Sequence, residues 1–325
     1  MSGLVVLGDA VVHEILMNLS KVEILKICDA LTQCLIDFSV GSGRSHQPGV
    51  GVVSRPEGQR CLFRSFSSPQ NFGTKLIVTP APASKAVGSL HGVIAVCDAN
   101  GVPSGIPNAE EVTGYRAALS ALISYLWRRC TDNIVVFGAG KQALWHVRLA
   151  LFLRGDEIKS IVVVNRTVSR AEQLLAQAKP NAADAVLCTV GTTEPLFPAS
   201  FLTGVTTKRS PYIPAVGSWQ PHMIELDPDL LRHATTKGGS VLVDDREGAL
   251  KFSGEVIRSK GERGKLIEVG GIASQQWNEG KEDSNEEVQL KLWIKDGLVI
   301  YKSIGVSTTG LIALELSLPT FNLTY

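Results

Sequence analysis

One stretch limits the folds open to this chain more than any other: Ile134-Val135-Val136-Phe137-Gly138-Ala139-Gly140-Lys141-Gln142-Ala143. Four apolar residues read as a buried strand, and a helical apolar pattern follows as far as Leu153. Between them lies G-x-G-x-x-A, which in a strand-turn-helix setting is a dinucleotide-binding fingerprint. Gly138 permits the tight turn, Gly140 lets backbone approach a pyrophosphate, and Ala143 is small enough for close helix–strand packing. Ala139, Lys141 and Gln142 complete a cradle whose free N–H groups and positive dipole end suit phosphate. The expected fold class is therefore α/β, with a Rossmann-type parallel sheet.

A second clue lies at the end of the next strand, Ile161-Val162-Val163-Val164. An NAD-preferring fold places Asp or Glu there to bind the ribose 2′-hydroxyl. Here the residues are Asn165-Arg166-Thr167, with Arg170 one helical turn on. Arg166 and Arg170 could simply begin a solvated helix. The missing acid, together with a guanidinium and a hydroxyl able to bind a 2′-phosphate, favours NADP(H) over NAD(H).

At 325 residues, 44% hydrophobic and 19% charged, the chain suits a globular protein of about two domains. A net charge of +1 offers no electrostatic case for nucleic acid or a membrane surface as partner. Residues 1–18 carry Asp9 and Glu14 but no Lys or Arg, unlike a targeting peptide. No apolar run reaches the ~18 residues of a membrane span. Six cysteines are scattered without a C-x-x-C pair, so they read mostly as small buried hydrophobes, and no metal is expected. A cytoplasmic location follows as the expectation.

Ser20-Lys21-Val22-Glu23 is a capping box, with Ile24, Ile27, Leu31, Leu35 and Phe38 on one face of the helix behind it. Short strands are expected near 51–53 and 61–63, at Lys75–Thr79, and at Gly92–Cys97 before an Asp98–Gly101 hairpin turn. A long helix spans Glu110–Trp127. Strands near 185–190, 212–216, 241–244 and 298–301, separated by helices or loops, imply parallel pairing. Gly310–Leu316 reads as a last helix, and Gly280–Glu287 as a charged surface loop.

Further motifs stand in order along the chain. They are Gly73-Thr74-Lys75, Val112-Thr113-Gly114-Tyr115-Arg116-Ala117-Ala118, the Gly138–Ala143 turn, Val216-Gly217-Ser218-Trp219-Gln220-Pro221 with Glu225-Leu226, Val243-Asp244, and Tyr301-Lys302-Ser303-Ile304-Gly305. In this order the chain resembles the ornithine cyclodeaminase/mu-crystallin family over nearly its whole length. That family includes ornithine cyclodeaminases, alanine dehydrogenases, ketimine reductases and mu-crystallin. The resemblance implies a homodimer. Its substrate-binding and dimerisation domain would be α+β, built from residues 1–115 and 300–325, with an NAD(P)-binding domain over 116–299.

The resemblance also implies roles. Lys75, by itself an ordinary surface lysine, becomes a cation beside a substrate carboxylate, where desolvation would lower its pKa for proton transfer. Arg116 lies in an apolar helical stretch and needs an anion. Its plain reading is an ion pair with Glu110 or Glu111; its family reading is a bidentate carboxylate clamp. Ser303 and Gly305 would touch the nicotinamide, Thr189 and the loop Thr192–Pro195 would face the cofactor, and Lys302 matches too, though alone it could be solvated. His91 matches a family pattern but reads as a structural hydrogen-bonding residue.

The chain departs from the family in places. Ornithine cyclodeaminases carry a proton-shuttling aspartate where this chain has Trp219, and an indole takes up no proton at neutral pH. Trp219 instead suits a flat apolar wall of the substrate pocket. No arginine follows Gln47-Pro48, so a second carboxylate contact is lost or comes from Arg44, Arg55 or Arg64. Ala117 stands for a threonine, and Gly310 for an acid. Only 18 residues separate Asn165 from Asp184, where the family fits a third strand and more helix. The leading expectation is an NADP(H)-dependent imine or ketimine reductase, or amino-acid dehydrogenase, acting on a small amino or imino acid. The alternatives are a cyclodeaminase with catalytic NAD and a non-catalytic NADP-binding protein.

Overall fold

The computed structural model describes residues 4–79, 91–165, 183–203, 210–236, 239–275 and 284–318. The chain divides into unit 1, residues 1–116 with 306–325, and unit 2, residues 117–305.

Unit 1 begins with β1 (Val5–Leu7), α1 (Asp9–Met17) and α2 (Lys21–Val40). The capping box starts α2 as expected: Ser20 Oγ accepts from Glu23 N, and Glu23 accepts from Ser20 N at 2.8 Å. Ile24, Ile27, Leu31, Leu35 and Phe38 are all buried on one face of that helix. Then come β2 (Gly51–Ser54), β3 (Arg60–Ser67), β4 (Asn71–Thr79), β5 (His91–Asp98) and β6 (Pro103–Pro107), in the sheet order β1-β6-β5-β4-β3-β2. The Asp98–Gly101 turn closes β5 onto β6, and Gly101 takes the positive φ (83°) that this turn requires. The short strands β1 and β6 escaped the sequence reading. Val5–Leu7 finds its place only by pairing in parallel with Gly105–Pro107.

Lys75 does not open its strand, as the apolar run Lys75–Thr79 suggested. Cross-strand pairing of Phe72 with Ser67 and of Gly73 with Phe66 extends β4 back to Asn71, so Lys75 lies mid-strand. The long helix α3 (Ala109–Tyr125) follows, and the boundary between the units falls within it, after Arg116.

Unit 2 contains β7 (Asn133–Phe137), α4 (Lys141–Arg154), β8 (Ser160–Val164), β9 (Ala185–Cys188), α5 (Ser200–Thr203), β10 (Tyr212–Ala215), α6 (Pro228–Thr236), β11 (Val241–Val243), α7 (Arg246–Phe252), α8 (Gly254–Ser259), β12 (Leu266–Glu268), α9 (Val269–Ser274), α10 (Asn285–Asp296) and β13 (Val299–Lys302). Its sheet runs β12-β11-β13-β10-β9-β7-β8, and every ladder is parallel. The α/β expectation holds. Inner strands such as β9, β10 and β11 are buried throughout, which is why they read as unbroken apolar runs.

Two expectations need correction. Gly280–Glu287 is not wholly loop. Ser284 and Glu287 form a second capping box that opens α10, while residues 276–283 lie outside the described residues. Strand β12 was missed because three residues carry too little periodicity. Unit 2 also runs to Gly305 rather than 299, because β13 lies between β10 and β11. Residues 166–182, the shortened interval, lie outside the described residues; among the described strands β8 ends the sheet.

The chain then returns to unit 1 as α11 (Ser307–Ser317), which packs on α2. Side chains distant in sequence hold it there. Ser307 N and Thr308 N donate to Gln47 Oε1, capping the helix start. Glu315 accepts from Asn71 Nδ2 at 2.5 Å and Ser68 Oγ at 3.1 Å, while burial holds its carboxyl above the usual range. Asn71→Ala therefore leaves a mostly buried carboxylate with fewer donors. The variant should unfold with about 1–3 kcal/mol less stability by denaturant titration.

Candidate functional site

The sites expected from sequence fall into two groups, one in each unit. In unit 1, alternation along β3 and β4 turns Leu62, Arg64 and Phe66, with Lys75 and Ile77, to the buried face of the sheet. Lys75 Nζ donates to Thr113 Oγ1 of α3 at 3.3 Å. Arg116, one helical turn beyond Thr113, is buried beside it. Burial, then Arg116, then Arg64 hold the Lys75 amine well below its usual pKa. The structure thus brings the expected Lys75 and Arg116 together and adds Arg64 and Thr113. Of the two acids named as ion-pair candidates for Arg116, Glu110 Oε1 lies 2.8 Å from His91 Nδ1 and Glu111 Oε2 lies 3.2 Å from His13 Nδ1.

In unit 2, parallel strands deliver their following loops to one edge of the sheet. Strand β8 lies on one side of β7 and β9 on the other, so the crevice between β7 and β9 is a topological switch point, where open α/β sheets bind ligands. Gly138 sits there with φ 111° and donates to Val164 O at 2.8 Å. A Cβ at Gly138 would lie 2.7 Å from Thr189 Oγ1, so close packing and backbone conformation both demand glycine. Thr189 itself donates through Oγ1 to Phe137 O at 2.6 Å, closing the end of β7.

Ala139 and Gly140 are exposed, and a Cβ on Gly140 would meet nothing within 4 Å. Gly140 provides no side-chain cap for α4, so the first-turn N–H groups near Lys141 and Gln142 are available to an anion. The buried Gln142 Oε1 has no hydrogen-bond partner among the described residues. This turn fits the phosphates of a dinucleotide. Asn165 is exposed at the end of β8, whereas Arg166, Thr167 and Arg170 lie outside the described residues.

The turn after β13 faces inward. Ser303 Oγ, Ile304 N and Gly305 N all donate to Asp244, at 2.7, 2.9 and 2.8 Å. Gly305 takes φ 94° to allow this. The described hydrogen bonds of Ser303 and Gly305 therefore shape the turn.

Lys302 is not solvated: it is fully buried. It donates to Ala215 O at 3.1 Å and Ser218 Oγ at 2.8 Å, and lies 3.2 Å from Glu255 and 3.7 Å from Glu225. Glu225 in turn accepts from Val190 N, Gly217 N and Ser218 N at 2.8, 2.7 and 3.1 Å. One carboxylate thereby joins the loops after β9 and β10, and the half-buried Trp219 rides on the second. Burial pushes the Glu225 carboxyl up to about 7, against Lys302 and the amide donors. Sequence reading gave no role to Glu225, Glu255 or Asp244; an acid following Gly217 by eight residues has no local signature.

Among the described residues, no group of three His, Cys, Asp or Glu could hold a metal, and no helix is long and apolar enough to cross a membrane. Cys28 and Cys188 are buried with thiol pKa values pushed up by burial, whereas four cysteines are half-buried rather than buried as expected.

No family model matches the chain. It is 28% identical over 306 residues to mouse ketimine reductase mu-crystallin, covering 88% of this chain and 89% of that protein. It is 27% identical over 262 residues to Delta(1)-pyrroline-2-carboxylate reductase of Bacillus cereus, covering 73% of each. Its fold is similar to that of Thermococcus litoralis Delta(1)-pyrroline-2-carboxylate reductase, solved with NADH and L-proline. There the TM-score is 0.73 at 15% identity, with 98% of this chain and 97% of that one covered.

Lys302→Met would strand two buried carboxylates. Unfolding stability should fall by about 3–5 kcal/mol at pH 8. Without the cation the Glu225 carboxyl rises further, so the folded state binds the proton more tightly than the unfolded one, and stability falls as pH rises through that window. The deficit should therefore shrink between pH 8 and pH 5 in denaturant titrations of both proteins.

Proposed function

This chain belongs to the ornithine cyclodeaminase/mu-crystallin family, and we propose that it is an NADP(H)-dependent reductase of the C=N bond in a small imino acid. The observation that carries this reading is the buried set of Lys75 and Arg116 in unit 1. A guanidinium suits bidentate binding of a carboxylate, and Arg116 takes that role. Lys75 supplies the proton. Burial and two guanidiniums disfavour its ammonium, so Nζ releases a proton readily toward the nitrogen of the C=N bond.

A reduced nicotinamide dinucleotide whose phosphates are held at Gly138–Gln142 would supply the hydride for the carbon. The residues that hold it are the Gly138–Gly140 turn, the first turn of α4 and Thr189, with Ser303 and Gly305 shaping the neighbouring turn. Asn165, Arg166, Thr167 and Arg170 favour the phosphorylated cofactor, since none can repel a 2′-phosphate. Trp219 provides an apolar wall and cannot shuttle a proton, which supports reduction over cyclodeamination.

A homodimer accompanies this reading. Phe63, Leu76 and Val93 form one cross-strand row on the outer face of the unit 1 sheet, and Phe63 and Val93 are exposed. Phe72, 51% exposed, extends the apolar face. A second copy of the chain would cover it.

Fluorescence titration should give tighter binding of NADPH than NADH, and NADPH absorbance should fall when a cyclic ketimine acid is added. No affinity for either nucleotide would overturn the reading. Lys75→Met should lower kcat/KM by about 10²–10⁴ while leaving NADPH affinity unchanged. In the parent protein kcat/KM should fall as pH rises through the lowered Lys75 pKa, because the acid form is needed; the variant should lack that limb. Sedimentation should give twice the chain mass, and Phe63→Asp with Phe72→Asp should halve it.

A further inference from the structure

Two loops of unit 2 are fastened to each other by one side chain. The loop after β9 and the loop after β10 run side by side: Ile224 N donates to Thr192 O at 2.8 Å, and Leu196 N to Glu225 O at 2.9 Å. At their roots the Glu225 carboxylate takes over as acceptor. Oε1 accepts from Val190 N at 2.8 Å, while Oε2 accepts from Gly217 N at 2.7 Å and Ser218 N at 3.1 Å. The roots touch, since a Cβ on Gly217 would lie 2.4 Å from Val190 C and O. The first loop in turn supports the glycine turn: a Cβ on Gly138 would lie 2.7 Å from Thr189 Oγ1 and 3.0 Å from Val190 Cγ2. Packing this close transmits a shift of Val190 to its neighbours.

The two carboxylate oxygens are not equivalent. Lys302 Nζ lies 3.7 Å from Oε2, and two amides point at that oxygen. Negative charge is favoured on Oε2, so a proton taken up by Glu225 goes to Oε1. The Val190 N–H then faces a hydroxyl in place of a carboxylate oxygen, and its tie to the second loop weakens. The titratable groups that face Glu225 are Lys302 from β13, Glu255 from α8, and the Cys188 thiol from β9, which burial keeps protonated. Burial, the largest influence, brings the Glu225 carboxyl up to about 7, so this proton is exchanged near neutral pH.

We propose that Glu225 is a positioning residue for nucleotide binding: through Val190 its carboxylate holds Thr189 and the glycine turn in the shape that accepts the dinucleotide, and uptake of one proton at Oε1 releases that hold. This assignment rests on the nucleotide-binding reading above. The ionised carboxylate belongs to the binding form, so affinity falls as pH falls through the titration of Glu225. By linkage, bound nucleotide draws the proton off.

The test is fluorescence titration of the full-length parent, Glu225→Gln and Glu225→Asp with NADPH between pH 8.5 and pH 6. Glu225→Gln keeps the shape of the carboxyl without its titrating proton. It should bind about tenfold more weakly than the parent at pH 8.5, and the gap should shrink to about twofold at pH 6, where the parent is itself protonated. The 2′-phosphate of NADPH also titrates, at about pH 6, but does so for every protein compared, so the ratio of dissociation constants isolates Glu225. Glu225→Asp, still acidic, should recover part of the affinity and keep the pH dependence. A glutamate that served the fold alone would give a ratio constant with pH, and that result overturns the proposal. If neither variant folds, amide exchange in the parent decides: protection of the Val190 N–H should fall between pH 8.5 and pH 6 while that of the Val216 N–H, bonded to Cys188 O, holds. Unchanged Val190 protection overturns the proposal. No NADPH binding by the parent at any pH would sink the reductase reading as well, whereas binding with a constant ratio sinks the role of Glu225 alone.

Discussion

The ammonium of Lys302 sits where the architecture of unit 2 places its greatest demand. Parallel strands send their following loops to one edge, and backbone amides there have no neighbouring strand to satisfy them. Glu225 takes three such amides from two loops, and Lys302 beside it makes a buried carboxylate tolerable. Glu255 and Ser218 complete the set, with Ser218 Oγ donating to Glu255 at 2.6 Å. Asp244 does the same service one strand further along, for the turn after β13. Polar groups inside the domain thus hold loops whose outer surface is left for a ligand.

Unit 1 follows a different logic. Its sheet buries one face, α11 packs on β3 and on α2, and apolar side chains fill most of that face. Arg64 and Lys75 break the pattern at one row. Nearby, Glu315 is also mostly buried, but Asn71 and Ser68 donate to it, and it fastens a helix. Local choices that oppose the global fold concentrate at functional sites, which is why the proposed proton donor is sought on this row.

Much of the fold was legible in single stretches. The capping box at Ser20 and the apolar stripe to Phe38 define α2 from local chemistry alone. The glycine turn after β7 was equally plain, because positive φ and close packing leave few residue types possible at Gly138. Short elements were not legible. β1, β6 and β12 exist only because a neighbouring strand pairs with them, and three to five residues show no period worth reading. The helix α10 was hidden by its charged surface, although Ser284 and Glu287 spelled its start.

What the sequence determined by itself was the kind of structure: parallel strands alternating with helices, one phosphate-ready turn, and an early domain with its own helix and hairpins. Periodicity and turn chemistry act over a few consecutive residues, so they survive without the fold. Only tertiary structure decided which side chains meet. Arg64 and Lys75 become neighbours through strand register, Arg116 joins them through the path of α3, and Lys302 reaches Glu225 and Glu255 because β13 is inserted between β10 and β11. Strand order and register are properties of the whole packed chain, and those long-range choices assemble the chemistry.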